Sequence, residues 1–497
     1  MEGIQKKHSW SYYVKSLIGI LIMILFPLIP APAPIISAGM MVIGQLLGLI
    51  FLWSFVDMMW PTFLAIILFG LRAKEIYPNS WQINGIYEAG AQSFGNWIVV
   101  FALGCLILCV ALEESGIIKR IVMKFITSKS ARTNAWMFSF MILAATMVIS
   151  LFMDCVAAEF FMLGIVHEIF DMLGFKKGDK WPKYMVIAIT FTVILAFAMT
   201  PICHTSSILF MGVYSGITGQ PANILGYMLI GIPIGLIIWI GMLLWFRFVV
   251  KPDISHFDTV DFSLLESKCP GKMEKKEKIV AVVSLIVLVF WLVPGFLSFL
   301  APESAAFLLL DRLTATTPLF FAIVFLAIFR IDGEPILDLK SAFKKVDWLS
   351  IVFLAGILMI AGAMGEETTG IGAFIASVIV PLTAGKSAFI LVGLIAVLSC
   401  IITNIANNIP VGIILVSVTV PIALDAGINP FLFVVAICIG ANLAYTIPPA
   451  FVPIGIAYSD EWCEGKKVFL NGLVMTVISC VVLALLMYPL GNLVLGV

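Results

Sequence analysis

Charge is what this chain has least of. Only 12% of its 497 residues are Asp, Glu, Lys or Arg, whereas soluble domains average about 25%. A surface so poor in charge, on a chain that is 62% hydrophobic, excludes a soluble protein. The formal net charge of zero offers no basic or acidic balance, so no nucleic-acid partner is expected. Histidine is scarce too. The four histidines are scattered without zinc-site spacing, and His167-Glu168 lacks the second His of a zinc-protease helix. None of the nine cysteines forms a CxxC pair, and no GxSxG elbow occurs. Without nucleophile–base or metal spacing, an enzyme is not expected. Long polar stretches are missing as well. The longest, Lys251 to Lys278, contains no core-forming run, so the chain reads as one membrane unit with the lipid bilayer as its solvent.

What is present is a pattern stated twice. Trp97 opens an apolar run that closes on Glu113-Glu114-Ser115-Gly116-Ile117, and Trp348 opens another that closes on Glu366-Glu367-Thr368-Thr369-Gly370-Ile371. A long apolar segment follows each. Small polar residues interrupt its middle, at Met153-Asp154-Cys155 in the first half and at Thr403-Asn404-Ile405-Ala406-Asn407-Asn408 in the second. Each half then adds a helix pattern broken halfway, at Thr200-Pro201-Ile202-Cys203-His204-Thr205-Ser206-Ser207 and at Tyr445-Thr446-Ile447-Pro448-Pro449. Breaks in corresponding places of two halves point to a secondary transporter and to its binding site.

Loop charges turn the pattern into a topology. Lys6, Lys7 and Lys15 place the N-terminus in the cytoplasm, and the segment after them reads as a first span, not a signal peptide. Lys119 to Arg132, Lys176 to Lys183, Lys251 to Lys278 and Arg330 to Lys345 are further basic clusters expected on the same side. The apolar stretch Ile36–Leu71 would run about 54 Å as one helix, against a hydrocarbon core of roughly 30 Å. Splitting it near Asp57-Met58-Met59-Trp60-Pro61 keeps the Lys119 cluster inside. Spans are then expected at 16–35, 37–55, 58–72, 94–115, 184–214 (broken), 223–249, 279–300, 305–330, 347–366, 429–458 (broken) and 467–494, with a basic amphipathic helix near 117–130.

The fold class is therefore an all-α polytopic membrane protein of about eleven transmembrane helices, with two broken helices and two opposed re-entrant hairpins. Residues 1–36 form a first scaffold helix. The first inverted repeat, 37–250, carries a cytoplasm-facing hairpin at 134–170. Residues 251–278 are a cytoplasmic linker, and the second inverted repeat, 279–497, carries an outward-facing hairpin at 387–425. The expected location is the plasma (inner) membrane.

A helix that stops inside the membrane exposes N–H groups at one end and C=O groups at the other. The former attract anions and the latter suit a small hard cation such as Na+. No Arg or Lys lies centrally in these four segments, so recognition of a small anionic substrate rests on amides, hydroxyls and helix ends. Substrate candidates are Asp154, Cys155, Thr205, Ser206, Asn404, Thr446 and Pro448; candidates for sodium are Asp154, Thr403, Asn404, Asn407 and Thr446. Asp154 and Glu159 are carboxylates within an apolar segment, which makes them functional candidates. With His204 they form the set that would couple transport to protons. Each also has a structural reading, as a capped or paired group, and Glu113, Glu114, Glu366 and Glu367 read as solvated helix ends.

At these residues the chain resembles the divalent anion:sodium symporter family of the ion-transporter superfamily. In that family each hairpin carries a Ser-Asn-Thr signature and each broken helix a Thr-Pro-Pro turn. Thr403-Asn404-Ile405 stands for the second signature and Thr446-Ile447-Pro448-Pro449 for its turn. Met153-Asp154-Cys155 and Thr205-Ser206-Ser207 take those places in the first half. The resemblance implies a homodimer, an elevator motion of a transport domain against a scaffold, and sodium-driven uptake of di- or tricarboxylates. A proton-coupled carrier, an anion exchanger, a membrane-embedded enzyme and a channel are the alternatives.

The topology makes a direct prediction. Single cysteines in Leu173–Lys183 and Lys251–Lys278 should react only with permeant reagents in intact cells, while those in Tyr77–Ala91 and at Val497 react from outside. Labelling of the 251–278 loop from outside overturns the inversion.

Overall fold

The computed structural model describes residues 10–496, apart from 58, 79–84, 203, 255–270, 301–303, 315, 372, 375, 376, 378–386 and 449. Lys6, Lys7, Cys203, Pro449, Val497 and most of the 251–278 linker thus lie outside the described residues. The chain is almost wholly helical. Its first half contains α1 (Trp10–Leu25), α2 (Ser37–Phe55), α3 (Met59–Ile76), α4 (Gly85–Gln92), α5 (Trp97–Ser115) and α6 (Ile117–Ile126). These lead to α7 (Ala135–Ser150), α8 (Cys155–Met172), α9 (Lys180–Met199), α10 (Thr205–Thr218) and α11 (Ile224–Leu244). The second half contains α12 (Lys275–Leu300), α13 (Ala305–Leu313), α14 (Thr316–Ile328), α15 (Leu339–Lys345) and α16 (Trp348–Gly365). It closes with α17 (Ala388–Thr403), α18 (Asn408–Asp425), α19 (Pro430–Asn442), α20 (Val452–Ser459) and α21 (Gly465–Leu495).

Local chemistry explains the boundaries. The Asp57 carboxylate accepts from Met59 N at 2.6 Å and Trp60 N at 3.3 Å, turning the chain between α2 and α3 where the length argument required a split. Gly116, at φ 82°, takes the left-handed conformation that ends α5 and starts α6. In α6, Ile118, Val122 and Ile126 are buried while Lys124 faces out, as an amphipathic surface helix requires. After its first turn α9 is almost wholly apolar and buried on every side, the mark of a central helix.

Some boundaries move. The first helix is already formed at Trp10, the first described residue, six residues before the expected start. The region 305–330 divides into α13 and α14. The helices α4 and α15, and a two-stranded turn pairing Arg330–Ile331 with Glu334–Pro335, were not foreseen. Each is too short for its periodicity to stand out.

The long segments at 134–170 and 387–425 fold as hairpins with arms α7/α8 and α17/α18. The first arms are each 16 residues, about 24 Å, and each hairpin brings its tip to the break in the helix pair that follows. Helix ends gather into two sets. In one, the linker between α20 and α21 meets the first half through Lys177–Glu461 (2.6 Å), His167–Asp460 (2.9 Å) and Lys183–Glu464. The Lys183 hydrogen bond holds Glu464 below the usual carboxylate range. Lys119 of α6 lines one surface cleft with Glu168 of α8, and Arg120–Glu277 and Lys345–Glu114 tie further basic residues to the same set. α21 runs 31 residues from there to the second set, where Asn429 donates to the Leu495 carbonyl at 3.5 Å. The first hairpin is rooted in the basic set and the second in the opposite one, beside Asn429. The described residues of the four basic clusters thus lie on one face.

Helix α21 also clamps the second break. A Cβ on Gly472 would stand 2.2 Å from the Tyr445 carbonyl oxygen, a backbone atom with no freedom to withdraw. Gly472→Ala should lower stability by about 1–3 kcal/mol, read as thermal unfolding in detergent. Gly164→Ala in α8, where nothing lies within 4 Å, should be neutral; equal effects of the two would remove the clamp.

Candidate functional site

The two hairpin tips have the same length. Leu151 to Asp154 joins α7 to α8, and Asn404 to Asn407 joins α17 to α18. Matching them residue for residue puts Ser150 opposite Thr403, Leu151 opposite Asn404, Asp154 opposite Asn407 and Cys155 opposite Asn408. This corrects the alignment expected from sequence, in which Asp154 stood against Asn404. The lone acidic residue drew that alignment, whereas the register is set by which residue caps the second arm. Asp154 does so in the first hairpin, accepting from Val156 N (2.9 Å) and Ala157 N (3.4 Å), and Asn407 in the second, accepting from Ile409 N (3.1 Å). A carboxylate and an amide thus do one job, the former better matched to the positive end of a helix.

Thr446 donates its hydroxyl to the Asn404 carbonyl at 2.5 Å, and Thr200 donates its own to the Leu151 carbonyl at 3.1 Å. The break residue that plays the part of Thr446 is therefore Thr200, followed by Pro201, and not Thr205.

Around the second tip the polar groups are occupied within the protein. Asn404 is buried; its Nδ2 donates to the carbonyls of Cys400 (2.8 Å) and Leu443 (2.9 Å), and its Oδ1 accepts from Tyr445 N (2.8 Å). Both amide hydrogens and one lone pair are spent, which leaves a single lone pair for any ligand. The expected double role of Asn404 toward substrate and cation is thus narrowed to an acceptor role, because closing the ends of α17 and α19 comes first. Thr403 donates to the Ala441 carbonyl at 2.7 Å, and Pro448 is exposed.

A second cluster centres on Asn442, the last residue of α19 and fully buried. Its Oδ1 accepts from Ser206 (2.7 Å) and from Asn408 Nδ2 (3.2 Å), and its Nδ2 donates to Ser207 (3.0 Å). Ser207 lies 3.3 Å from the Tyr227 hydroxyl, which donates to the Ala198 carbonyl. Asn442 joins the two halves of the chain and was missed in the sequence. Its signal there was weak: one amide just before the expected break.

The third cluster holds His204, buried, with Nδ1 2.5 Å from the Thr200 carbonyl and Nε2 3.0 Å from that of Ser150. Asp154 and His204 share no direct hydrogen bond or ion pair, although the ring contacts the backbone of Met153 beside Asp154. Glu159 lies further along α8, fully buried, accepting from Thr190 at 2.6 Å; its second oxygen meets no protein donor. No hydrogen bond joins it to the three clusters. Among the described residues no group of three or more His, Cys, Asp or Glu could hold a metal. The helices that leave the breaks, α10 and α20, have no side-chain cap, unlike α8 and α18. Their N-terminal dipoles are thereby free to face an anion. Thr205, half-buried, opens α10, and Cys155, buried, opens α8.

Comparison with known proteins places this geometry. A family model described as CitMHS, citrate transporter, matches residues 10–414. The sodium-dependent dicarboxylate transporter SdcS of Staphylococcus saprophyticus is 25% identical over 516 residues, covering 99% of this chain and 94% of its own. SdcS of Staphylococcus aureus strain MRSA252 is 23% identical over 426 residues, 82% of this chain and 79% of its own. Among solved structures, the Alcanivorax borkumensis YdaH transporter, titled as revealing an unusual topology, aligns at TM-score 0.56 and 15% identity, over 85% of this chain and 97% of that one. This last likeness concerns the fold alone.

Asn442→Ala strips three buried partners at once, each worth roughly 1–3 kcal/mol when left unsatisfied. Transport should fall at least tenfold with a lowered melting temperature, whereas Ser206→Ala, which removes one partner, should cost less than half as much. Near-normal uptake and melting in Asn442→Ala would show that the cluster does not hold the halves together.

Proposed function

The chain belongs to the citrate transporter family, CitMHS, and on that premise we propose that it carries a small di- or tricarboxylate into the cell by symport with sodium. It is a polytopic membrane transporter, not an enzyme; substrate, coupling ion and motion are our reading. The observation that carries it is the pairing of two hairpin tips with two helix breaks whose outgoing helices, α10 and α20, lack side-chain caps. At α20 only Val452 can offer a free N–H, since Pro453 has none and Ile454 and Gly455 bond the Phe451 carbonyl; the N–H groups of Thr205 and Ser206 open α10 and suit a carboxylate of the substrate. Cys155 and Asp154 flank it from α8. The SdcS relatives, by their names, depend on sodium and take dicarboxylates.

Sodium takes oxygen ligands, and the carbonyls and hydroxyls at a helix break can supply them. In our reading it binds beside the second tip, where Thr403, Asn404, Asn407 and Thr446 bring oxygen atoms together and Pro448 terminates the break. Asp154, committed to capping α8, contributes its charge to the first tip. The transport unit comprises α7–α11 and α17–α21, and it moves as an elevator against α1–α3, α5 and α12–α16. The contact between α10 and α16 supports this, since Gly216 packs on Gly362 without an interlocking side chain: a Cβ on Gly216 would stand 3.1 Å from the Gly362 nitrogen. We assign the face bearing the basic clusters to the cytoplasm and expect a homodimer formed through the scaffold.

A second reading has its own observation. Glu159 is a carboxylate in a dry interior with one oxygen unmatched, the kind of group that proton-coupled carriers load and unload.

One experiment separates the two. In proteoliposomes, an inward sodium gradient should accelerate uptake of labelled succinate or citrate, and the label should show counterflow. Glu159→Gln should keep sodium-driven uptake within about threefold, the scale of one neutral hydrogen bond. Uptake driven by a proton gradient alone, and abolished in Glu159→Gln, would overturn sodium coupling in favour of protons.

A further inference from the structure

The two halves close their hairpin tips with different chemistry, and the difference is one of charge. In the second half, the C-terminal ends of α17 and α19 converge on the Asn404 amide, whose nitrogen donates to a carbonyl of each, Cys400 and Leu443. In the first half, Leu151 stands opposite Asn404 and has nothing to donate. The role passes to His204 from the break itself. Its Nε2 lies 3.0 Å from the Ser150 carbonyl at the end of α7, and its Nδ1 2.5 Å from the Thr200 carbonyl at the end of α9 and 3.4 Å from the Thr200 hydroxyl, whose hydrogen goes to the Leu151 carbonyl. Carbonyl oxygens only accept. An amide nitrogen carries two hydrogens while neutral, but an imidazole presents two N–H groups only as a cation.

We propose that His204 is held as an imidazolium, a tethered positive charge between the C-terminal ends of α7 and α9, whose freed carbonyls suit a cation. Two helix C-termini carry partial negative charge onto the ring, and the face of Phe197 lies 4.4 Å from it, centroid to centroid. Removal from water opposes the charge, and the ring has 0% exposure. In the adjoining hairpin the carboxylates are Asp154, the N-cap of α8, and Glu159 within that helix, and α5, which packs on α10, has Glu113 and Glu114 in its last turn. Asp154 caps its own helix and Glu159 accepts from Thr190, and neither pairs with the ring. A cation at the N-cap position of α10 also faces the positive end of that helix. An anion bound at the uncapped turn of α10 relieves that mismatch. His204 therefore supplies the fixed charge that selects a dianion in a site without Arg or Lys. It carries no proton across the membrane, because the charge stays in place throughout the cycle. The selection step rests on the carboxylate substrate proposed above; the charge itself rests on geometry alone.

The test is nitrogen NMR of the full-length protein, labelled with 15N-histidine and embedded in lipid nanodiscs. The chain has four histidines, and His204→Asn identifies the signal. Both ring nitrogens of His204 should be protonated at neutral and at mildly alkaline pH, with and without sodium. A ring with one bare nitrogen overturns the proposal. The same His204→Asn variant keeps a two-hydrogen bridge but removes the charge. Its KM for succinate should rise about tenfold, the scale of one partly screened charge, with the sodium dependence of uptake unchanged. A charged ring in the spectrum with an unchanged KM overturns the selecting role. Absence of succinate uptake from the unaltered protein as well counts against the proposed substrate, while the spectrum still decides the charge.

Discussion

Everything distinctive here follows from one constraint: backbone that leaves a helix inside hydrocarbon must find partners for the carbonyl and amide groups it frees. The chain meets it twice, at the ends of α7 and α9 and at the ends of α17 and α19. Threonine hydroxyls from the breaks, Thr200 and Thr446, close one carbonyl of each tip. An imidazole closes two more in the first half and an amide two more in the second. The tips are held by contacts with the breaks, so each hairpin and the helix pair after it behave as one body. That coupling is what a carrier needs if its binding site is to travel intact.

The two halves are alike in plan and unlike in charge. Asp154 places a carboxylate at the N-terminus of α8, and Asn407 places a neutral amide at that of α18. The first arm is thus electrostatically satisfied by its own side chain, while the second keeps its positive end. An anion placed between the tips would meet an asymmetric field.

Most of the architecture was legible in the sequence, because hydrophobic length and loop charge act through the whole segment. The split near Asp57, the amphipathic α6, both hairpins and both breaks follow from such sums. The candidate site was legible as a set of segments, and less so residue by residue. Asn404 and Thr446 were found through their setting, yet their hydrogen bonds turn inward, to carbonyls whose orientation no sequence pattern reports. Asp154 was set against the wrong partner because a charge is conspicuous in an apolar run and a capping register is not. Asn442 and Thr200 were overlooked as individuals for the converse reason: each is an ordinary polar residue at the end of a long apolar helix. Only the fold reveals what it faces.

The Asn442 cluster bears on how the protein is made. Ser206 and its acceptor Asn442 are 236 residues apart, and a ribosome adding about 5–20 residues per second needs roughly 12–47 s to cover that distance. For that interval the hydroxyl of Ser206 sits in a newly inserted helix whose acceptor does not yet exist, while Ser207 already has Tyr227 within reach. The first tip has no such delay, since Ser150, Leu151, Thr200 and His204 all emerge in quick succession. Biogenesis should therefore proceed through an intermediate with one finished hairpin and an open, polar seam along α10. Helper proteins in the membrane would have to shield that seam from lipid and from other nascent chains until α19 arrives.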